Sequence, residues 1–257
     1  MRIRNISRMG RSSRGAFRIW RLAASLVLIS TLLSGCLYGG QIVRENAPAP
    51  GEYMLLVQNA VDQFQQRTGV LPIKNKPNDT PLYEKYFIDF KKLQDYGLLS
   101  LIPTNSFENG GTAIYVLVDV ETEPTVKLLD LVSYQAMTKM QHMVSEYMHR
   151  NGQLPAGDEV QEGLYWLDRE KLGRNAETIK SPNTGQTLPV LINEDGQLYI
   201  DYSLDLRSLI TSGQVEAPAE DTDLRELIVQ QSTFVPVWSL PYGLLDGEPV
   251  LRPDLQE

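Results

Sequence analysis

Few side chains in this 257-residue chain stand in patterns that could do chemistry. Cys36 is the only thiol, which excludes an intramolecular disulfide and a cysteine-based zinc site. His142, Glu146 and His149 are spaced i, i+4, i+7, one face of a helix, and His/Glu sets can hold a transition metal. Asp89 and Asp168 each follow a tyrosine by three positions, and a carboxylate pair could do acid/base work on a polymer if the fold brought the two together. Each set also has a plainer assignment. The His/Glu face lies opposite Met140, Met143 and Tyr147, among Gln135, Thr138 and Lys139, so it reads as a solvated polar face, and both histidines of the chain are already in it. Asp89 and Asp168 stand just before short Lys/Leu-containing stretches, where a helix N-cap belongs. No dinucleotide or P-loop fingerprint and no G-x-S-x-G elbow is present. The expectation is no catalytic residue, no metal and no cofactor.

Cys36 has a distinctive setting. Residues 1–21 carry seven arginines and no acid, and residues 22–33, LAASLVLISTLL, are an uncharged apolar run. That run is too short for a transmembrane helix, which needs about 20 residues, and has the length of a signal-peptide core. It closes on Leu33-Ser34-Gly35-Cys36, which resembles the lipobox of bacterial lipoproteins. The resemblance implies cleavage between Gly35 and Cys36, a diacylglyceryl group on the Cys36 sulfur, and anchoring by acyl chains. Translation could also begin at Met9. Leu37 follows the cysteine, so the aspartate that retains lipoproteins in the inner membrane of two-membrane bacteria is lacking. Residues 36–51, rich in Gly, Pro and Ala, read as a tether.

The rest of the chain repeats itself. Gln58–Pro72 (QNAVDQFQQRTGVLP) aligns without gaps with Gln141–Pro155 (QHMVSEYMHRNGQLP), and Tyr86–Leu93 (YFIDFKKL) with Tyr165–Leu172 (YWLDREKL). Each copy then offers two strand-like runs about a turn: 113–120 and 125–131, then 187–193 and 197–202, the second pair joined through Asp195-Gly196. Leu56, Ala60, Val61 and Phe64 give one helical stripe; Ala136, Met140, Met143, Val144 and Tyr147 give the other. Gly69 and Gly152 are placed as left-handed C-caps, and Pro72 and Pro155 stop the helices from resuming. The predicted fold class is α+β: two tandem similar units, each a helix, a short helix and an antiparallel hairpin, plus a C-terminal extended segment. The chain divides into a signal peptide (1–35), tether (36–51), repeat 1 (52–132), repeat 2 (133–211), an acidic linker (212–223), and a C-terminal helix with an aromatic extended segment (224–257). That last segment is an edge strand or clasp on the body, or a partner-binding peptide.

After residue 35 the chain holds 17 basic against 32 acidic residues, a net −15. Such a body repels nucleic-acid phosphates and anionic headgroups, so membrane attachment falls to the lipid. The lipobox, the acidic body and the helix–Gly-x-Leu-Pro–hairpin units together resemble uncharacterised lipoproteins of endospore-forming Gram-positive bacteria. The helix ending in Gly-x-Leu-Pro is also similar to the globular part of pseudopilins. The expected function is a lipid-anchored extracytoplasmic lipoprotein with a non-enzymatic binding or scaffolding role and a protein or cell-wall partner. Its rival is an envelope-polymer-acting enzyme using Asp89 and Asp168. A transporter's solute receptor fits less well, because alternating βα units are missing.

Overall fold

A long amphipathic helix opens each copy. In the first, α1 (Pro50–Thr68) buries Val57, Ala60, Val61 and Phe64. Leu56, expected on that face, is half exposed: the buried stripe is Val57, Ala60, Val61 and Phe64, spaced i, i+3, i+4, i+7, and Leu56 lies at its margin. Gly69 closes the helix at φ 73°, its N–H donating to Gln65 O at 2.8 Å. A connection containing α2 (Leu82–Lys85) leads to Phe87 and Ile88, and Asp89 caps α3 (Phe90–Asp95). The hairpin of β1 (Ala113–Val118) and β2 (Thr125–Asp130) follows, with Val116 opposite Lys127. The structure is a computed structural model that describes residues 50–174, 176–212 and 222–255, all inside one compact body, Pro48–Glu257. The leader, Gly35, Cys36, most of the tether and most of the acidic linker lie outside the described residues.

The second copy opens with α4 (Leu131–Asn151), which buries Ala136, Met137, Met140 and Val144 and ends at Gly152, φ 65°. Met143 and Tyr147 are only half buried; the inward stripe runs one position away, through Met137 and toward Met148. Then come β3 (Ala156–Gln161), β4 (Leu164–Leu167), α5 (Arg169–Leu172), β5 (Ile179–Lys180), β6 (Thr187–Leu188), β7 (Val190–Asn193) and β8 (Leu198–Ile200). Strands β3-β4-β7-β8 form one antiparallel sheet. Two features depart from the sequence reading. The loop before Tyr165 is itself a hairpin, turning at Gly163 (φ 75°). The run 187–193 is broken at Pro189, which has no N–H for the ladder, so Thr187–Leu188 pairs instead with β5.

Copy one carries the same sheet in reduced form. Ile73 bridges Ile88, and Phe87 bridges Val116, so the order 73–88–β1–β2 matches β3-β4-β7-β8. Side chains at matching positions make matching bonds. Gln58 accepts from Val126 N (2.7 Å) and donates to Pro124 O (2.8 Å); Gln141 accepts from Leu198 N (2.9 Å) and donates to Gly196 O (2.7 Å). Lys92 Nζ donates to Ile73 O (2.8 Å) as Lys171 Nζ does to Ala156 O (2.7 Å). The Asp89 and Asp168 amides reach Pro72 O and Pro155 O at 2.7 and 2.8 Å.

The C-terminal region joins the copies. Helix α6 (Ser203–Thr211) follows β8, as α4 follows β2. Helix α7 (Arg225–Gln231) begins one residue later than expected, with the Asp223 carboxylate accepting from Arg225 N at 3.0 Å. Beyond it the extended segment runs along both outer sheet edges: Leu128 N donates to Thr233 O (3.1 Å), Val235 N to Leu128 O (2.8 Å), and Ile200 N to Trp238 O (2.7 Å). Asn183 brackets Phe234 with two 3.1 Å bonds. Edges left open invite pairing with another chain, and here the chain's own tail covers them. The segment is not extended to its end: Asp246 and Gly247, both at positive φ, turn β9 (Tyr242–Leu245) into β10 (Glu248–Leu251). The Tyr242 hydroxyl, wholly buried, donates to Asp201 Oδ1 (2.8 Å) and accepts from Tyr202 N (2.8 Å), pinning the hairpin to the second copy.

Candidate functional site

The copies differ most in the stretch between the Gly-x-Leu-Pro turn and the tyrosine. The second copy turns back at once through β3 and β4. The first has a longer Pro- and Asn-containing connection, residues 74–85, which forms no strand and ends in the short helix α2, where Tyr83 and Glu84 are buried. One side of it walls a pocket of about 730 Å³, lined by residues 78–85, 197–199 and 238–239 with Asp223, Arg225 and Glu226. All three parts of the body therefore meet there: first copy, strand β8 of the second, and tail. A second hollow of about 460 Å³ lies on the other side of the connection, against Asp119 and Val120.

Glu84 is the pocket's buried carboxylate, 5% exposed. It accepts from Trp238 N at 3.0 Å. Burial pushes its carboxyl up, opposed by that hydrogen bond, the Lys76 ammonium and the Tyr134 hydroxyl. Lys76 lies 3.3 Å from the Phe87 ring centroid and donates to Glu84 O; burial lowers its ammonium. Trp238 holds φ at 52°, uncommon for a bulky residue and a sign of backbone strain. Its ring meets Tyr134 edge-on at 6.2 Å, and its buried Nε1–H has no hydrogen-bond partner among the described residues. Arg225 pairs with Asp223 at 2.6 Å, donates to Ser239 O at 3.2 Å and lies 5.4 Å from the Tyr83 ring. Burial raises the Tyr83 phenol well above its ordinary value, so it stays a neutral donor. The arrangement can bind: it offers aromatic surface and fixed polar groups.

The residues singled out by spacing lie elsewhere. Asp89 accepts from Lys91 N (3.1 Å), and Asp168 from Glu170 N and Lys171 N (3.1 and 3.4 Å). Each caps a short helix of its own copy, and neither lines the pocket. His142 and Glu146 sit 3.5 Å apart on the exposed face of α4, and His149 is exposed as well. Among the described residues no three His, Cys, Asp or Glu side chains could hold a metal ion together. Sequence reasoning missed Glu84, Trp238 and Arg225; the available signal was the four extra residues separating the matching blocks in the first copy, since an insertion in one copy of a duplication marks where the two have diverged. No curated protein and no solved structure matches the chain. Residues 51–130, essentially the first copy, are similar to the YphF family N-terminal domain.

Proposed function

We propose that this chain is a lipoprotein precursor whose mature body sits on the extracytoplasmic face of the cell membrane, held by lipid on Cys36, and serves there as a binding or scaffolding protein without catalysing a reaction. The observation that carries the reading is the tetrapeptide Leu33-Ser34-Gly35-Cys36, which ends a basic leader and a short apolar run with the chain's only cysteine. Two acyl chains, at about 0.8 kcal/mol per buried CH₂, anchor stably where one does not. Helix α1 starts at Pro50, so a tether of about 14 residues could hold the body up to roughly 50 Å from its anchor. The acidic body gives no electrostatic attachment of its own, and among the described residues no helix is long and apolar enough to cross a membrane. The binding role draws support from a pocket lined by aromatic and polar side chains and from a tail that ties two duplicated copies into one surface.

The test is metabolic labelling with a fatty-acid analogue. The wild-type protein should label and fractionate with membranes, and Cys36→Ala should lose both properties. A Cys36→Ala protein that labels and sorts like wild type overturns the lipoprotein reading.

A further inference from the structure

We propose that the pocket between the first-copy connection, strand β8 and the tail is a binding site for a neutral oligosaccharide segment. The inference deepens the binding role above and rests on it. Four observations lead there. The pocket, about 730 Å³, falls within the range of small-ligand sites, roughly 300–1,000 Å³. It is walled by a connection that only one of the two copies carries, so it marks where the copies have diverged. Trp238, at its wall, keeps a strained backbone; strain of this kind persists where surrounding structure enforces it, and clusters at binding sites. Four of the charged side chains in the lining are engaged within the protein, Asp223 with Arg225, Glu84 with Trp238 N, and Lys85 with Asn78 O, while Asp79 stands exposed at the margin as a further acceptor for a hydroxyl.

What the lining offers a ligand is aromatic surface, from Tyr199 and Trp238, beside neutral groups that both donate and accept, the amides of Asn78 and Gln197 and the hydroxyl of Thr80. A sugar ring needs that combination. Its C–H face packs on an aromatic plane, and its neighbouring hydroxyls each need a donor and an acceptor. Polyanionic wall polymers are disfavoured by a body of net −15.

The experiment titrates the full, detergent-solubilised protein with the N-acetylglucosamine tetramer by calorimetry, with pentalysine in parallel. Saturable binding of the tetramer is expected, weakened at least about tenfold by Tyr199→Ala and also by Gln197→Ala or Asn78→Ala, and unchanged by His142→Ala outside the pocket. Gln197 and Asn78 are exposed, so their variants should fold even if Tyr199→Ala does not. Absence of tetramer binding, binding indifferent to the pocket variants, or binding of pentalysine alone would each overturn the proposal. The Cys36→Ala labelling result is independent of this titration, so failure of the anchor and failure of the pocket are told apart.

Discussion

The two copies share a polar skeleton and differ in what is hung on it. In both, a glutamine on the long helix grips the backbone of the last strand, a lysine reaches back to the residue after the turn, and an aspartate caps the short helix between. Their cores are less alike. Phe64 is buried and packs edge-on against Tyr96 at 4.8 Å, whereas its counterpart Tyr147 is half exposed. The comparison teaches that the hydrogen bonds between elements define this unit more strictly than the apolar side chains do. Apolar residues of similar size exchange at modest cost, but a buried backbone N–H that loses its partner has no substitute.

The glutamines give the sharpest way to break that comparison. Val126 and Leu198 are buried, so Gln58→Ala and Gln141→Ala each strand an amide at the outer edge of a terminal strand. Each should cost about 2 kcal/mol in denaturant unfolding, within the usual 1–3 kcal/mol for an unsatisfied buried group. If one substitution costs that much and the other almost nothing, the two bonds are not equivalent and the shared skeleton dissolves.

The glycine caps should respond less, and again in parallel. A Cβ added at Gly69 or Gly152 would meet no atom within 4 Å, so only the left-handed backbone opposes it. Gly→Ala at either should lower stability by about 1 kcal/mol. A loss well beyond that at one site alone would mean that the helix end there supports tertiary structure which its twin does not.

Much of this architecture was legible in the sequence, for identifiable reasons. Gln58 and Gln141, Gly69 and Gly152, and Asp89 and Asp168 each need one residue type at one place, so identity at those positions survives in both copies and exposes the duplication. The α+β class followed from helical stripes beside strand runs. Less could be read where structure depends on distant partners. Strand β3 is mostly exposed and carries two acids, with no apolar alternation to announce the β3–β4 hairpin. The β9–β10 turn carried the Asp-Gly signal that had already located β7–β8, but its prolines and aromatics suggested extension throughout. The pocket was beyond reach because its walls come from segments more than a hundred residues apart, and its buried carboxylate, Glu84, sits in a stretch that reads as a polar loop.

Glu84 also supplies the finest distinction between the copies, because it belongs to the insertion that only the first one has. Burial holds its proton to a higher pH in the folded chain than in the unfolded one, whose carboxyl titrates near 4.5. Between those two values the folded state binds more protons, so this group favours the fold fully at lower pH, and its contribution declines as pH rises from about 4.5 through the folded value. Asp89 and Asp168 instead accept backbone hydrogen bonds at partly exposed helix ends, one in each copy. Glu84→Gln keeps an amide oxygen to accept from Trp238 N and removes the titration. The stability difference between variant and wild type, measured by denaturant unfolding, should therefore shift in the variant's favour on going from about pH 4 to pH 7. Taking the difference at each pH cancels the titration of every other carboxyl, so a small effect is readable. A constant difference across that range would mean that the carboxyl titrates alike in the folded and unfolded chain, the Lys76 ammonium and the Trp238 N–H offsetting its burial, and a shift in the wild type's favour would mean that they outweigh it.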